Sequence, residues 1–127
     1  MDYTIKNLRE SKDAAAEAGL SDSLEARFAH QDLDSERSGI SYQVMKAGQR
    51  QPFAHKHAEM EEIYVVISGS GRVKLDDKVE EVGPLDAIRI APSVVRAFEA
   101  GGDDLVLLAF SPRAEGDAEV VQDFSWD

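Results

Sequence analysis

From residue 38 onward, apolar and polar residues alternate in short segments separated by turn residues. Alternation with a period of two is typical of strands with one buried face, and many short strands at close intervals indicate an all-β barrel or sandwich. The first such strand has Ile40, Tyr42 and Val44 on one face. Further strands are predicted at 53–57, 63–67, 71–75, 79–82, 87–90, 96–99 and 105–110, with hairpin turns at 69–71, 76–77 and 101–104.

The residues before 38 follow a different pattern. Tyr3–Ile5 fits a short strand, and Ser11 is placed to cap a short helix that runs through Ala18 and ends at Gly19. Residues 24–29 fit either a helical or a strand face, and we favour a strand because the chain must soon join a sheet. No linker or repeat divides the chain. We therefore predict one domain with an N-terminal extension at 1–37, a barrel core at 38–112 and an acidic C-terminal tail at 113–127.

Composition narrows the function classes. The chain has 127 residues, enough for one domain with its own core, and no cysteine, which excludes a disulfide framework and thiolate metal ligands. With 25 acidic against 14 basic residues the net charge is -11, which disfavours nucleic acid and anionic lipid as partners. Neither a signal-peptide pattern nor a long apolar run is visible, so we expect no membrane association and a cytoplasmic location.

A candidate metal site lies at His55, His57 and Glu62. On a strand, side chains two positions apart project from the same face, so both imidazoles can reach one ion. A short polar segment separates His57 from Glu62, and a hairpin there would bring a carboxylate beside the two imidazoles. Two histidines and one carboxylate suit Fe(II), Mn, Ni or Zn, so we expect a divalent transition metal as cofactor.

The spacing resembles the first signature of the cupin family, in which a Gly, His-x-His, Glu and a second Gly follow at fixed offsets. The matching residues are Gly48, His55, His57, Glu62 and Gly69. The family's six-residue gap before the second glycine selects Glu62 over its neighbour Glu61 as the ligand. The resemblance implies a single-domain, jelly-roll-like antiparallel β-barrel with a short N-terminal strand or helix extension, and a homodimer.

The second cupin signature supplies a Gly, a Pro, another Gly, a fourth ligand His and an Asn, and this chain departs from it at all five positions. Arg96 stands where the fourth ligand would be. A guanidinium is permanently charged and cannot ligate a metal. The resemblance leaves three alternatives for Arg96: it pairs with Glu62 in a metal-free pocket, it presents a fork to an anionic ligand beside the metal, or it swings out to the rim.

Aromatic residues at alternating strand positions are candidates for the wall of an apolar ligand pocket. We expect ligand contacts from Tyr42, Phe53, Tyr64 and Phe98 together with Arg96, and Phe110 belongs to the same inner-face group; for each aromatic, ordinary core packing is the alternative.

Two functions fit the sequence. In the first, the protein is a metal-dependent enzyme, oxygenase-like or isomerase-like, that acts on a small organic molecule. In one alternative this molecule is anionic. In the second, it is a non-catalytic small-ligand-binding cupin that serves as a sensor, carrier or accessory protein, either with a metal or metal-free with Arg96 paired to Glu62. No catalytic residue is assigned, since Glu59, Glu61 and the tyrosines are poor candidates for a general base.

Overall fold

The computed structural model describes residues 2–127 and is almost entirely β-structure. It contains a 3₁₀ helix, one short α-helix and ten strands: 3₁₀ helix Leu8–Glu10, α1 Ala14–Glu17, β1 Leu24–Phe28, β2 Ser38–Met45, β3 Ala54–His57, β4 Glu62–Ser68, β5 Gly71–Leu75, β6 Lys78–Val82, β7 Ala87–Ile90, β8 Arg96–Ala100, β9 Leu105–Pro112 and β10 Ala118–Val121.

The strands form two five-stranded antiparallel sheets. The first sheet has the order β1-β2-β9-β4-β7 and the second has the order β10-β3-β8-β5-β6. Because consecutive strands repeatedly alternate between the sheets, the chain is wound as a jelly roll, and the sheets face each other without closing strictly into a barrel. The predicted all-β, jelly-roll-like antiparallel fold is confirmed.

The turn predictions need correction, because turn chemistry does not say whether a chain reverses within a sheet or crosses to the other one. Only residues 76–77 connect hydrogen-bonded neighbours, β5 and β6. Residues 69–71 lead from the first sheet to the second, and residues 101–104 lead back. The predicted hairpin between β3 and β4 is also wrong, since these strands belong to opposite sheets.

Gly69 shows why one of these crossings requires glycine. Its φ angle is +78°, in the left-handed region. A Cβ atom at this position would lie 2.0 Å from the carbonyl oxygen of Asp104. The backbone at the end of β4 therefore passes too close to the β8–β9 connection for any side chain.

The interior lies between the two sheets and is filled from both. Buried apolar residues from either sheet form one cluster, including Met45, Tyr64, Val73, Phe98 and Leu107.

Alternation along β2 runs opposite to our expectation. Ser41, Gln43 and Met45 are the inward residues, while Tyr42 lies on the outer face near Ile67 and Leu108. Phe110 likewise faces outward and is 40% exposed.

The N-terminal segment contributes a strand to the first sheet, because β1 pairs with β2 along its whole length. Asp13, not Ser11, caps α1: its carboxylate accepts hydrogen bonds from the backbone N–H groups of Ala15 and Ala16. Tyr3–Ile5 forms no strand. Neither helix of residues 2–127 has the length and apolar character needed to cross a membrane.

The C-terminal segment contributes a strand that the sequence did not reveal. β10 pairs with β3 and forms the edge of the second sheet. Beyond it, Trp126 packs against the outer face of that sheet, with the guanidinium groups of Arg50 and Arg72 at 5.2 and 5.7 Å from its ring centre. Cation–π contacts of this kind contribute on the order of 1 kcal/mol each at the surface.

Candidate metal centre

β3 presents two imidazoles to the interior, as its alternation predicts. Its N-terminal part lies between β10 and β8, and His55 is the backbone partner of Val120 on one side and Arg96 on the other. The backbone N–H of His57 donates to the carbonyl of Pro92 at 2.8 Å. With both neighbours in place, the direction of the two side chains is fixed by the sheet.

Glu62 approaches the imidazoles from the opposite sheet. It is the first residue of β4, so the polar segment after His57 crosses the interior and brings the carboxylate in front of the histidines. Its Oε1 atom lies 3.0 Å from Nε2 of His57 and 3.6 Å from Nε2 of His55. We refer to His55, His57 and Glu62 as the His-His-Glu cluster.

The cluster has the dimensions of a metal site. Each of its residues offers one ligand atom, and these atoms lie within 4.8 Å of one another. Two ligand atoms that are each about 2.0–2.2 Å from an ion are about 3.0–3.5 Å apart at ordinary coordination angles. The separations at Glu62 are of this size, and two imidazole nitrogens with one carboxylate oxygen suit a divalent transition metal.

Electrostatics keep the carboxylate charged. Burial acts to raise the pKa of Glu62, but the contacts with His55 and His57 and the charge of Arg96 outweigh burial and lower the pKa below its ordinary value. Tyr64 donates its hydroxyl proton to Oε1 of Glu62 at 3.0 Å. Burial, together with the negative charge of Glu62, raises the pKa of Tyr64 well above its ordinary value, so the phenol stays protonated and remains a donor.

Asp117 is a residue of this site that sequence analysis missed. Its Oδ2 atom lies 3.3 Å from Nδ1 of His57, at ion-pair distance although not aligned as a hydrogen bond. The same carboxylate accepts hydrogen bonds from the backbone N–H groups of Glu59 and Met60 at 3.0 and 2.9 Å. Asp117 therefore fixes the segment between β3 and β4. With an ion at the cluster, its charge would favour a proton on Nδ1 of His57 and leave the Nε2 lone pair for the ion.

His57 is held in the neutral form. Burial lowers the pKa of its imidazole, and the charges of His55 and Arg96 lower it further, while Glu62 acts in the opposite direction. Since a metal ion binds the neutral ring, the environment prepares His57 as a ligand.

Arg96 lies beside His55 but does not reach either cavity next to the cluster. It is completely buried, with 0% of its surface exposed, and its one hydrogen bond among the described residues runs from NH2 to the carbonyl of Ala91 at 3.1 Å. Nε and NH1 have no partner in residues 2–127. Burial lowers the pKa of Arg96, while the charges of Tyr64, Glu62 and Asp76 act to raise it.

The structure bears on two of the three alternatives for Arg96. Across residues 2–127 no ion pair joins the guanidinium to Glu62, and complete burial excludes an outward swing to the rim. Arg96 is not among the residues that line the cavities beside the cluster, and its expected contact with an anionic ligand stays a prediction. Its charge still acts on the site, because it contributes to lowering the pKa of Glu62.

Two cavities meet at the cluster, and both are lined by His57 and Glu62. The apolar lobe has a volume of about 260 Å³, and its wall includes Ala14, Leu24, Ala26, Phe53, Tyr64 and Val120. The polar lobe has a volume of about 250 Å³, and its wall includes His30, Ser41, Met60, Ser111, Arg113 and Asp117. An ion at the cluster would therefore be reached from two chemically different sides.

The aromatic residues predicted to contact a ligand divide into three groups. Phe53 and Tyr64 line the apolar lobe. Phe98 is 1% exposed and packs against Tyr64 with ring centres 4.8 Å apart, so it supports the wall from the core. Tyr42 lies on the outer face of the first sheet, which corrects its assignment to the pocket.

The comparisons with known proteins agree with this fold. A family model described as a cupin domain matches residues 41–111. Similar solved structures include a cupin protein from Bacteroides fragilis, with 23% identity, a TM-score of 0.72 and coverage of 98% of this chain and 92% of that one. Polyketide cyclase RemF from Streptomyces resistomycificus has 22% identity, a TM-score of 0.75 and coverage of 98% and 88%. KdgF from Halomonas sp. has 17% identity, a TM-score of 0.60 and coverage of 91% and 89%. No curated protein matches the chain.

Proposed function

This chain belongs to the cupin domain family, and we propose that it is a metal-dependent enzyme that acts on a small organic molecule. The observation that carries the proposal is the His-His-Glu cluster, whose three ligand atoms lie within 4.8 Å of one another at the junction of two cavities. A divalent Fe, Mn, Ni or Zn ion held there would keep positions open for water or substrate and would polarise a bound oxygen. The reaction classes we propose are oxygenation and isomerisation.

The chain's own residues have separate tasks in this proposal. His55 and His57 supply nitrogen ligands and Glu62 an oxygen ligand. Tyr64 orients the carboxylate through its 3.0 Å hydrogen bond, and Asp117 orients His57. These groups are positioned by backbone pairing and by buried contacts, which is the condition for a preorganised site.

Arg96→His is expected to raise the affinity for metal at least about tenfold, which corresponds to about 1.4 kcal/mol. The imidazole would project from the strand position next to His55 and add a nitrogen ligand while removing a nearby positive charge. Arg96→Met is the matched control, because it removes the charge and supplies no nitrogen. Competition titration with a chromophoric chelator measures both. Equal affinity in the two variants would mean that residue 96 does not face the ion.

Asp117→Asn is expected to weaken metal binding by about tenfold, because a carboxylate that orients a ligating histidine contributes about ten- to a hundredfold to affinity. Asp123→Asn removes an acid from the same C-terminal segment without touching the cluster, and it serves as the control. Chelator competition at fixed pH measures the ratio of the two dissociation constants. If both variants bind metal as wild type does, Asp117 has only a structural role in the loop.

A non-catalytic ligand-binding cupin is the second candidate, and a specific observation favours it. Apart from the cluster, the residues lining the apolar lobe, all within the described chain, include no carboxylate or imidazole, and Tyr64 is held as a donor to Glu62. Glu59 and Glu61 are exposed and line neither lobe. Proton transfer by a protein group therefore has no evident acid or base in the apolar lobe.

Incubation with a cell extract of small molecules separates the two candidates. Metal-loaded protein and His57→Ala are each incubated with the extract, and the mixture is analysed by mass spectrometry before and after ultrafiltration. An enzyme consumes a compound in many-fold excess over protein, and only when metal is present. A carrier or sensor retains a compound on the filter unchanged, and this result would reject catalysis.

The predicted homodimer and cytoplasmic location stay predictions. Ile63 and Phe110 are each 40% exposed and are backbone partners on the outer face of the first sheet, which is consistent with a sheet-to-sheet contact between copies.

A further inference from the structure

The residues that line the apolar lobe indicate which kind of ligand can bind there, which the metal ligands alone do not. Apart from Gln43, Gln51 and the cluster, every residue lining it is Ala, Val, Leu, Phe or Tyr. Within the described chain no Lys or Arg lines it. A charged group placed in such a lobe would lose its hydration without gaining a partner, at a cost of several kcal/mol.

The two amides in the wall offer only neutral hydrogen bonds. Oε1 of Gln51 already accepts from the backbone N–H of Phe98 at 3.2 Å, and Nε2 of Gln43 donates to Oγ of Ser41 at 3.0 Å. Gln51 is 7% exposed and Gln43 is 6% exposed, so both amides are fixed within the structure. They can orient a hydroxyl or carbonyl group but cannot neutralise a charge.

The buried charges near the lobe also disfavour an anionic body. Glu62 contributes a carboxylate directly to the wall, whereas Arg96 is completely buried and does not line the lobe. An anion beyond reach of the cluster would face the carboxylate without touching the guanidinium. The expected contact of Arg96 with an anionic ligand would have to form outside this lobe, because Arg96 does not line it.

The size of the lobe limits the ligand. An apolar cavity of about 150 Å³ in an engineered protein holds benzene. The apolar lobe is about 260 Å³ in volume and leaves room for a body of one or two fused rings or an equivalent branched chain. Ala14, Ala15 and Ala18 of the α1 segment form one side of the lobe, and larger side chains there would close it.

We propose that the apolar lobe binds the uncharged, apolar body of the ligand, of one or two rings in size, with the ligand's single polar end directed at the His-His-Glu cluster. The role given to the polar end of the ligand rests on the proposed function, in which a metal ion occupies the cluster. The match between lobe and ligand body is independent of whether metal is bound.

The test uses 2-naphthol as an apolar probe and gluconate as a polar probe of comparable reach. Binding to full-length protein is measured by isothermal titration calorimetry, with and without bound metal. We expect 2-naphthol to bind both forms and gluconate to bind the metal-free form at least about tenfold more weakly, because burial of apolar surface is favourable while a buried carboxylate is unpaired. Failure of 2-naphthol to bind, or tighter binding of gluconate to the metal-free form, overturns the proposal.

Variants in the α1 segment locate the binding to the lobe. Ala14→Trp and Ala18→Trp place a large ring at the wall, where both residues are at least partly exposed and tolerate the change. Ala16→Trp is the matched control, since Ala16 is exposed on the same helix and does not line the lobe. We expect about tenfold weaker binding of 2-naphthol in the first two and unchanged binding in the control. Equal binding in all three variants overturns the proposal.

The two proposals fail separately. Binding of 2-naphthol that Ala14→Trp weakens, in a protein that takes up no metal, supports the lobe and rejects the metal centre. Metal uptake without any binding of 2-naphthol rejects the lobe and leaves the metal centre standing.

Discussion

His57→Ala is expected to abolish stoichiometric metal binding while leaving the fold intact. His57 supplies an Nε2 atom 3.0 Å from the Glu62 carboxylate, and an alanine side chain offers no ligand atom in its place. Loss of a residue that hydrogen-bonds to a ligating histidine, without touching the metal, already lowers metal affinity about ten- to a hundredfold. Loss of the ligand itself should lower metal affinity at least about a hundredfold. Chelator competition and elemental analysis measure the loss.

The neighbouring Lys56 provides the control for this variant. Lys56 lies between the two histidines on β3, and its Nζ atom is 3.7 Å from Glu119. Lys56→Ala therefore changes the same strand without touching the cluster. Circular dichroism and thermal unfolding report whether either variant disturbs the fold. Metal retained at full stoichiometry by His57→Ala would refute the ligand assignment.

Substitution of the adjacent carboxylates Glu61 and Glu62 should affect metal affinity very differently. Glu62→Gln removes the charged oxygen ligand and is expected to weaken metal binding at least about a hundredfold. The reason is that loss of a group that only orients a metal ligand already weakens binding about ten- to a hundredfold. Glu61 is exposed, and its carboxylate lies 3.3 Å from Arg89. Glu61→Gln should leave metal affinity unchanged, because an exposed ion pair contributes about 0–1 kcal/mol and lies away from the cluster.

Thermal unfolding adds a second readout to this pair. Tyr64 donates to the charged Glu62 oxygen in a buried position, and a hydrogen bond to a charged group contributes about 1.5–3 kcal/mol. Metal-free Glu62→Gln is therefore expected to be less stable than metal-free Glu61→Gln. A loss of metal in Glu61→Gln with retention in Glu62→Gln would exchange the roles of the two residues and contradict the assignment.

Local sequence signals were sufficient for the strands between residues 24 and 112 and for the three cluster residues. The predicted ranges 71–75 and 87–90 coincide with β5 and β7, and the other strands predicted in this part differ from the observed ones by at most two residues at an end. The strand predicted at Tyr3–Ile5 does not form. His55 and His57 share a face because alternation is a property of any strand. The gap between Glu62 and Gly69 distinguished Glu62 from Glu61, and the structure finds Glu62 buried and Glu61 exposed.

Alternation does not say which face is inside, and this explains the error at Tyr42. The inward side of β2 carries Ser41 and Gln43 beside the cluster, while apolar residues occupy the outward side. Part of that outward side is covered: Val44 is 7% exposed, and Asn7, Leu8 and Arg9 lie near Tyr42. A functional cavity thus places polar residues inside, and a terminal segment hides apolar residues outside, which reverses the usual pattern.

Long-range pairing explains what the sequence could not reveal. β10 is four residues long and exists through its pairing with β3, some sixty residues earlier in the chain. Asp117 precedes β10, and this pairing brings it to His57. In sequence, Asp117 is one of several acids in an acidic tail. Its role follows from the fold, as does the crossing between sheets that brings Glu62 in front of the histidines.

Elemental analysis by plasma mass spectrometry tests the central claim most directly. The protein is purified without a nickel column or chelator, and a portion is reconstituted separately with Fe(II), Mn, Ni and Zn before removal of unbound metal. We expect close to one equivalent of a transition metal per chain in the wild-type protein and none in His57→Ala. Absence of metal from every preparation, including those reconstituted, would contradict the assignment of His55, His57 and Glu62 as a metal centre.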